Sequence, residues 1–403
     1  MKLLAVLVEL PYPANHGARC DISRRLEAFQ ELGWDVHAIT WTGGRLEAPI
    51  READIARMNS VVADLELLKL DRGARRVLNM LRWPSQAAGR WPSRAERERL
   101  LQKYRSASPG FEAIWIDGIH AAPLGRWLAD QLGVPYFYRS HNIEYRYNAE
   151  QASLATGLNK LSVMGNLAGL KRLETSVLRD AALFYDISFE DLATWRAAGF
   201  DNGRLLSTMA DREMLDLAKR GTDRLVPSDI AFTGSLSLPN NVAALEWYLS
   251  QVHPNVIAKR PQTTLVVAGR NPSSDLSCRV TAAGGELIAN PEHMEPILLG
   301  CEVAINPILH GSGVNVKMID MLASGRRVVS TLIGTRGLPP EIVELLAIAD
   351  DADGMAQAIV TSLAEPEAEA ARDRRIATVS RHFGLEGFRR SLAEAETIVA
   401  PAS

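Results

Sequence analysis

Residues 305–331 read INPILHGSGVNVKMIDMLASGRRVVST, and the reading of this stretch decides the fold. It continues from an apolar run, Val303–Asn306, that has the look of a buried strand. A loop carrying Gly311, Ser312 and Gly313 follows, and then a helix from about Val314 to Ser324, stopped by Gly325. A second apolar strand, Val328–Thr331, comes next. Strand, glycine-rich turn and helix N-terminus together make an anion site: glycines let backbone N–H groups approach closely, and the helix dipole favours negative charge. Val314, Met318, Met321 and Leu322 repeat with the spacing of a core face, while Lys317, Asp320 and Ser324 share another stripe. A cation in the first turn opposes the dipole, so Lys317 needs a reason to be there. One reason is a phosphate over the turn, with Asp320 placed to accept ribose hydroxyls. The other reading is a surface Lys–Asp pair on an ordinary crossover helix, and spacing alone does not choose between them.

The rest of the chain sets limits. Its 403 residues exceed one typical core, so two domains of about 200 residues each are expected. With 47% hydrophobic and 23% charged residues the composition is globular, and a net charge of −3 argues against bulk nucleic-acid binding. Cys20, Cys278 and Cys301 are too scattered for a disulfide framework or a metal cluster, which fits a reducing compartment. Only Met1 and Lys2 precede the run Leu3–Val8, which is too short for a signal peptide or membrane span and reads as a first strand. The expected location is cytoplasmic, in solution or peripheral at the inner face of a membrane.

In chain order, strand Leu3–Val8, a loop ending at His16 and Gly17, a helix of about Ala18–Leu32 and strand Asp35–Thr40 form a βαβ opening. No G-x-G-x-x-G lies between Val8 and Arg19, so the dinucleotide fingerprint is absent. Gly17 suits a loop that meets a ligand through backbone N–H groups, or simply a tight turn. Strand Val62–Leu70 precedes Arg72–Arg105, an arginine-rich segment interleaved with Leu78, Met80, Leu81, Trp83, Trp91, Leu100 and Leu101 and broken by Pro84 and Pro92. Such a segment can lie on anionic lipid or grip a charged acceptor, or it can be a set of solvated helices. Strands Ala113–Asp117 and Pro135–Arg139 flank a helix, His120–Leu132, and the second runs into Ser140-His141-Asn142-Ile143-Glu144. Polar residues at the C-terminal end of a parallel strand are where open α/β sheets place their sites, so His141 is a candidate for touching a reacting group. One long helix, Thr156–Asp180, strand Ala182–Ser188 and helix Glu190–Ala198 follow. The domain boundary is expected near Asp223–Ser228, after which α/β alternation restarts. The expected division is 1–223, 224–384, and a terminal helix 385–403 that packs back on the first domain.

These pieces resemble the GT-B glycosyltransferases, specifically the retaining, family-4-like group (glycosyltransferases group 1). The resemblance rests on Pro11–Gly17, on SHNIE at Ser140–Glu144, on FTGSL and PNN between Phe232 and Asn241, on VVAGRNP at Val266–Pro272 and above all on Gly311–Thr331. That last stretch is similar to the family pattern G-x-G-x-x-x-K-x-x-E-A-M-A-x-G-x-P-V-V-x-T. The implied fold is α/β, two Rossmann-like parallel-sheet domains facing a cleft. The implied roles carry over by position. Gly17 lies near donor phosphates or the acceptor, and His141 beside the transferred sugar. Gly234 opens the donor loop. Gly311, Ser312, Gly313 and Val314 meet the diphosphate or sugar, Lys317 balances diphosphate charge, and Asp320 takes the ribose. His16, Asn142 and Glu144 fall on the acceptor side. The chain also departs from the pattern. Asp320 is one methylene shorter than the family's glutamate, and Ser312 or Gly313 stands where its first acid belongs. The usual Arg and Lys are missing from Thr233–Asn241, with Arg270 as a substitute cation.

The reaction expected is transfer from a nucleotide-diphosphate sugar to a hydroxyl acceptor: a polysaccharide, a lipid-linked sugar or a natural product. With no Asp-x-Asp at a strand end and no ligand-spaced His/Asp cluster, neither metal nor other cofactor is expected. Helix N-termini, Lys317 and Arg270 then carry the leaving group's charge. His141 and Lys317 are the candidate catalytic residues, with His141 orienting the sugar rather than acting as a base. The alternatives are an epimerase of the same fold and an inactive sugar-nucleotide scaffold, the latter supported by the altered acids. An NAD oxidoreductase is disfavoured by the missing glycine fingerprint.

Overall fold

Short β-branched and aliphatic runs ending in glycine or polar residues alternate with helices throughout the chain, and a computed structural model shows them assembled as two α/β units. The structure describes residues 1–43, 50–154, 157–222, 225–310 and 313–400. The first unit comprises Met1–Leu206 together with Arg389–Ser403, and the second Ser207–Phe388.

In the first unit seven strands form one sheet: β1 (Lys2–Leu7), β2 (Asp35–Thr42), β3 (Asp64–Lys69), β4 (Ala113–Asp117), β5 (Tyr136–Ser140), β6 (Leu183–Asp186) and β7 (Gly203–Leu205). Their order is β3-β2-β1-β4-β5-β6-β7, and every pairing is parallel. The second unit holds β8 (Ser228–Ser235), β9 (Leu265–Arg270), β10 (Glu286–Ala289), β11 (Cys301–Asn306), β12 (Arg327–Ser330) and β13 (Ala347–Ile348), in the order β10-β9-β8-β11-β12-β13. Both sheets thus reverse direction beside their first strand, and in such sheets ligands settle outside the carboxyl ends of the strands at that reversal. Parallel strands buried on both faces read as continuous apolar runs. In β11, Val303 and Ile305 enter one core of the second unit, and Cys301 and Ala304 the other. All three cysteines are free thiols.

Several expectations change. The single helix at Thr156–Asp180 is two, Gly157–Leu167 and Leu170–Asp180, because Gly169 adopts a left-handed φ of 74° between them. A further helix, Glu144–Leu154, starts inside the SHNIE motif itself. The chain enters the second unit at Ser207, earlier than the boundary expected near Asp223–Ser228. Before that stretch the chain forms β7, which extends the first sheet, and an amphipathic helix, Arg212–Arg220, whose Met214, Leu215 and Ala218 join a core of the second unit. The last helix, Leu385–Val399, begins in the second unit, and its residues from Arg389 belong with the first, where Arg204 pairs with Glu394 at 2.5 Å.

One close approach controls the second sheet's carboxyl end. Gly234 and Gly269 face each other across β8 and β9, and a Cβ on Gly269 would lie 1.8 Å from the Gly234 carbonyl oxygen. No side chain fits there without separating the two strands. Gly269→Ala is expected to lower the unfolding free energy by about 1–3 kcal/mol, read by urea denaturation; wild-type stability would contradict this packing.

Candidate active site

The strand β11 ends in Asn306, a buried amide whose Nδ2 donates to Ser330 Oγ (3.4 Å) and the Gly334 carbonyl (3.3 Å). Its Oδ1 accepts from Asn315 Nδ2 at 3.2 Å. Asn315 is the N-cap of the helix Val316–Ala323, and its side chain is therefore turned away from the helix end, leaving the first-turn N–H groups without a side-chain cap. Met318, Ile319, Met321 and Leu322 bury the inner face. The helix starts two residues later than the sequence suggests, so Val314 belongs to the loop, where it packs against Gly337. Gly313 takes a left-handed φ of 78°. Gly311 and Ser312 lie outside the described residues.

Lys317 follows in the first turn. Its Nζ is sealed from solvent, although the residue as a whole is partly exposed, and it has no hydrogen-bond partner. It stands 4.3 Å from the centre of the Phe232 ring. Burial, with no anion beside it, pushes its pKa down to about 7. The lysine stem also lines the Gly234 backbone: a Cβ there would meet Lys317 Cδ at 3.4 Å and Asn241 Nδ2 at 3.1 Å. Asn241 donates to the Ser235 carbonyl at 3.0 Å, which ties the start of the helix Pro239–Trp247 to the end of β8. Phe232, Gly234, Asn241 and Lys317 are therefore one cluster at the carboxyl end of β8. Arg270 closes β9 opposite Ser235, with its side chain exposed.

Asp320 is placed differently from the expectation. Its Oδ1 accepts the Asp211 main-chain N–H at 3.2 Å, so its carboxylate is engaged with the segment that opens the second unit. Among the described residues one group brings three ligand-type atoms within 4.8 Å, Glu213, His293 and Glu295, and none of these belongs to the Lys317 cluster.

The first unit has a polar centre of its own, at the ends of β4 and β5. Asp117 and Arg139 stand there fully buried, and Asp21 and Arg25 come from the helix Gly17–Glu31. Arg139 donates to both Asp21 oxygens (2.9 and 3.2 Å) and to the Leu206 carbonyl. Arg25 bridges Asp21, at 2.6 Å, and Asp117. His141 sits over this network, with Nε2 2.6 Å from Asp117 Oδ1 and Nδ1 3.8 Å from Asp21 Oδ2. Burial alone would raise the pKa values of both carboxyls. Arg139, Arg25 and His141 overcome it at Asp21, and Arg25 and His141 at Asp117, holding both below the carboxylate range. The contact with Asp117 fixes the orientation of the His141 ring. Sequence reasoning found His141 but missed Asp21, Arg25, Asp117 and Arg139. The available signal was Asp117 at the last position of a strand.

Around His141, Glu144 opens its helix. Burial raises its pKa, and Asn142 and Asn148 hydrogen-bond to it. Glu174 accepts the main-chain N–H groups of Glu144 (2.7 Å) and Tyr145 (3.1 Å), and burial pushes its pKa up to about 8. His16 and Gly17 are exposed at the start of the first helix, His16 3.4 Å from Glu9. His141 and Lys317 lie in different units.

Residues 227–365 match the sequence profile of the family described as Glycosyl transferases group 1. Over that span, which lies within the second unit, the chain is similar to the group 1 glycosyltransferases. The profile covers the strands and helices that carry Phe232, Gly234, Asn241 and Lys317. The enzyme is 28% identical over 377 residues, 87% of its length and 88% of the relative's, to a Klebsiella pneumoniae protein described as an uncharacterized 44.6 kDa protein in a cps region. Its fold is that of solved GT-B structures. A Rickettsia africae glycosyltransferase gives a TM-score of 0.64 at 12% identity, covering 100% of this chain and 99% of that one. Anabaena HepE in complex with UDP gives 0.62 at 14%, covering 98% and 100%. Sucrose-phosphate synthase of Thermosynechococcus elongatus gives 0.62 at 15%, covering 98% of each.

The first-unit network makes a direct prediction. Asp117→Asn leaves two buried arginines with one carboxylate, and is expected to cost about 3–5 kcal/mol. Because both carboxyls titrate below the ordinary range, their contribution is complete above about pH 4 and falls away only in stronger acid. Urea denaturation at neutral pH and in acid reads both effects. A neutral substitution effect would show that the network is solvated.

Proposed function

We propose that the enzyme moves a sugar from a nucleoside diphosphate sugar to a hydroxyl acceptor, with the diphosphate seated at the uncapped start of helix Val316–Ala323 and on Lys317. The observation that carries this reading is the Lys317 ammonium, shielded from water, without a hydrogen-bond partner, and next to backbone with no intervening side chain at Gly234. An unpaired buried cation is unfavourable by itself, and a dianionic leaving group supplies the missing partner. The HepE structures with UDP and with UDP-glucose support a uridine donor. Gly311, Ser312, Gly313 and Val314 contribute backbone contacts, and Arg270 adds a second cation from β9. Asp320, held by Asp211, reaches the ribose only if that hydrogen bond is exchanged.

The chemistry proposed is retaining and independent of metal, since lysine, arginine and helix N–H groups together balance the departing charge. In the first unit, His141, locked by Asp117, orients the sugar, while His16, Gly17, Asn142 and Glu144 form the acceptor side. The acceptor proposed is a growing surface polysaccharide or a lipid-linked sugar, supported by the relative described from a cps region.

Lys317→Met is expected to lower turnover by roughly 10²–10³. It should leave the donor-free protein at least as stable, because the substitution removes the cost of burying the charge. A thermal-shift panel of UDP, GDP, dTDP and ADP sugars reads binding and base preference together, since ligand at 100-fold its Kd adds about 2.7 kcal/mol of stability. Turnover near wild type in the variant would remove Lys317 from the leaving-group site. Loss of activity in EDTA would refute the metal-independent route.

A further inference from the structure

The segment Arg72–Arg105 folds as three helices, Ala74–Asn79, Ser85–Arg90 and Arg94–Arg105, and they divide its charge unevenly. In the third, three basic side chains are paired: Arg94 with Glu98 (2.7 Å), and, on β3, Arg99 with Glu66 (2.6 Å) and Lys103 with Asp64 (2.8 Å). The first two are different. From Asp71 to Glu96 the chain carries Arg72, Arg75, Arg76, Arg82, Arg90 and Arg94 and no acid. Arg75 is paired with Asp71. Arg72 and Arg76 donate to the main-chain carbonyls of Gly43 and Ser85, which leaves their charge in place. Arg82 stacks over Trp83 at 4.8 Å.

The tip of this pair of helices exposes apolar side chains: Val77 66%, Leu78 66%, Met80 42% and Leu81 90% exposed. Met164, beside the Gly165 that approaches Met80, is 52% exposed. The tip is held rigidly. Asn79 Nδ2 donates to the Ala88 carbonyl at 3.2 Å, Gln86 N–H to Asn166 Oδ1 at 3.1 Å, and Ala87 and Ala88 are fully buried. Its backbone is also internally satisfied: Met80, Leu81, Arg82 and Trp83 all donate within the turn. Entering a lipid interface therefore exposes no unpaired N–H group among these four.

We propose that Val77–Arg82 is a membrane-docking tip that inserts Leu78 and Leu81 shallowly into an anionic bilayer. Arg72, Arg76 and Arg82 meet lipid phosphates while their stems lie along the apolar boundary. Charge complementarity selects lipid over an apolar protein groove, because the exposed leucines are ringed by arginines and by no acid within the segment. Among the described residues no helix is long and apolar enough to cross a membrane, so attachment by this tip is peripheral. The proposal goes beyond the transfer reading and does not depend on it.

The test is flotation of the whole protein with vesicles of phosphatidylcholine alone and with roughly one-third phosphatidylglycerol, at about 0.05 and 0.5 M salt. Binding is expected to the anionic vesicles only and to weaken at high salt. The double variant Leu78→Glu/Leu81→Glu should bind at least about tenfold more weakly with an unchanged Tm. Absence of binding to anionic vesicles, or equal binding by the double variant, overturns the proposal. So does a wild-type dimer in sedimentation equilibrium that the double variant abolishes while neither protein floats, since a second copy would then cover the tip. Neither donor nor acceptor enters the measurement, so its failure leaves the transfer reading to its own test.

Discussion

A lysine ammonium withdrawn from water, with an aromatic face at 4.3 Å and no hydrogen-bond acceptor, is costly to maintain. Much of the second unit's carboxyl end serves to maintain it. Asn306 turns the N-cap Asn315 away from the helix, and the helix end stays open. Gly234 and Gly269 draw β8 and β9 together so tightly that no Cβ fits, leaving bare backbone along the lysine stem. Asn241 fixes the next helix to the end of β8. Each of these would be an unnecessary constraint in a crossover helix whose only task was packing. On the proposed function they keep a cation and a set of N–H groups ready for an anion, a preorganisation that stabilises developing charge without rearrangement.

The first unit resolves its buried charge in the opposite way. Asp21, Arg25, Asp117 and Arg139 neutralise one another almost completely, and His141 is placed by what it sits on. Buried ion networks of this kind contribute little net stability but are intolerant of losing one member. They suit a scaffold that holds one imidazole in one orientation. Both sheets share the order with a reversal beside the first strand, and both polar centres lie at strand carboxyl ends. Their contrast is chemical: one centre is self-satisfied and rigid, the other is left short of an anion.

Much of this was legible in the sequence, for identifiable reasons. Strand-forming runs such as Ala113–Asp117 were readable to the residue because a parallel strand buried on both faces is apolar throughout and ends abruptly. The helix around Lys317 was readable from its core stripe and its glycine stop. The break at Gly169 was not, since a lone glycine in a helical pattern either persists or terminates depending on tertiary packing. The early boundary at Ser207 was hidden because β7 is only three residues long. The ion network was invisible for a further reason. Asp21, Arg25, Asp117 and Arg139 are separated by up to 118 residues, and no local spacing links them. Asp320 shows the remaining gap: its partner, the Asp211 backbone, lies 109 residues away, and no local spacing links the two.

On the proposed function, Lys317 meets the diphosphate partly deprotonated and is protonated when the anion arrives. A lysine whose pKa is held down near 7 by burial is mostly neutral at about pH 8, and pairing with a phosphate restores its charge. Calorimetric titration of UDP at about pH 8, repeated in two buffers of different ionisation enthalpy, counts the protons directly. The account predicts uptake of close to one proton per UDP bound, absent in Lys317→Met. Binding without proton uptake, or the same uptake in the variant, would contradict it.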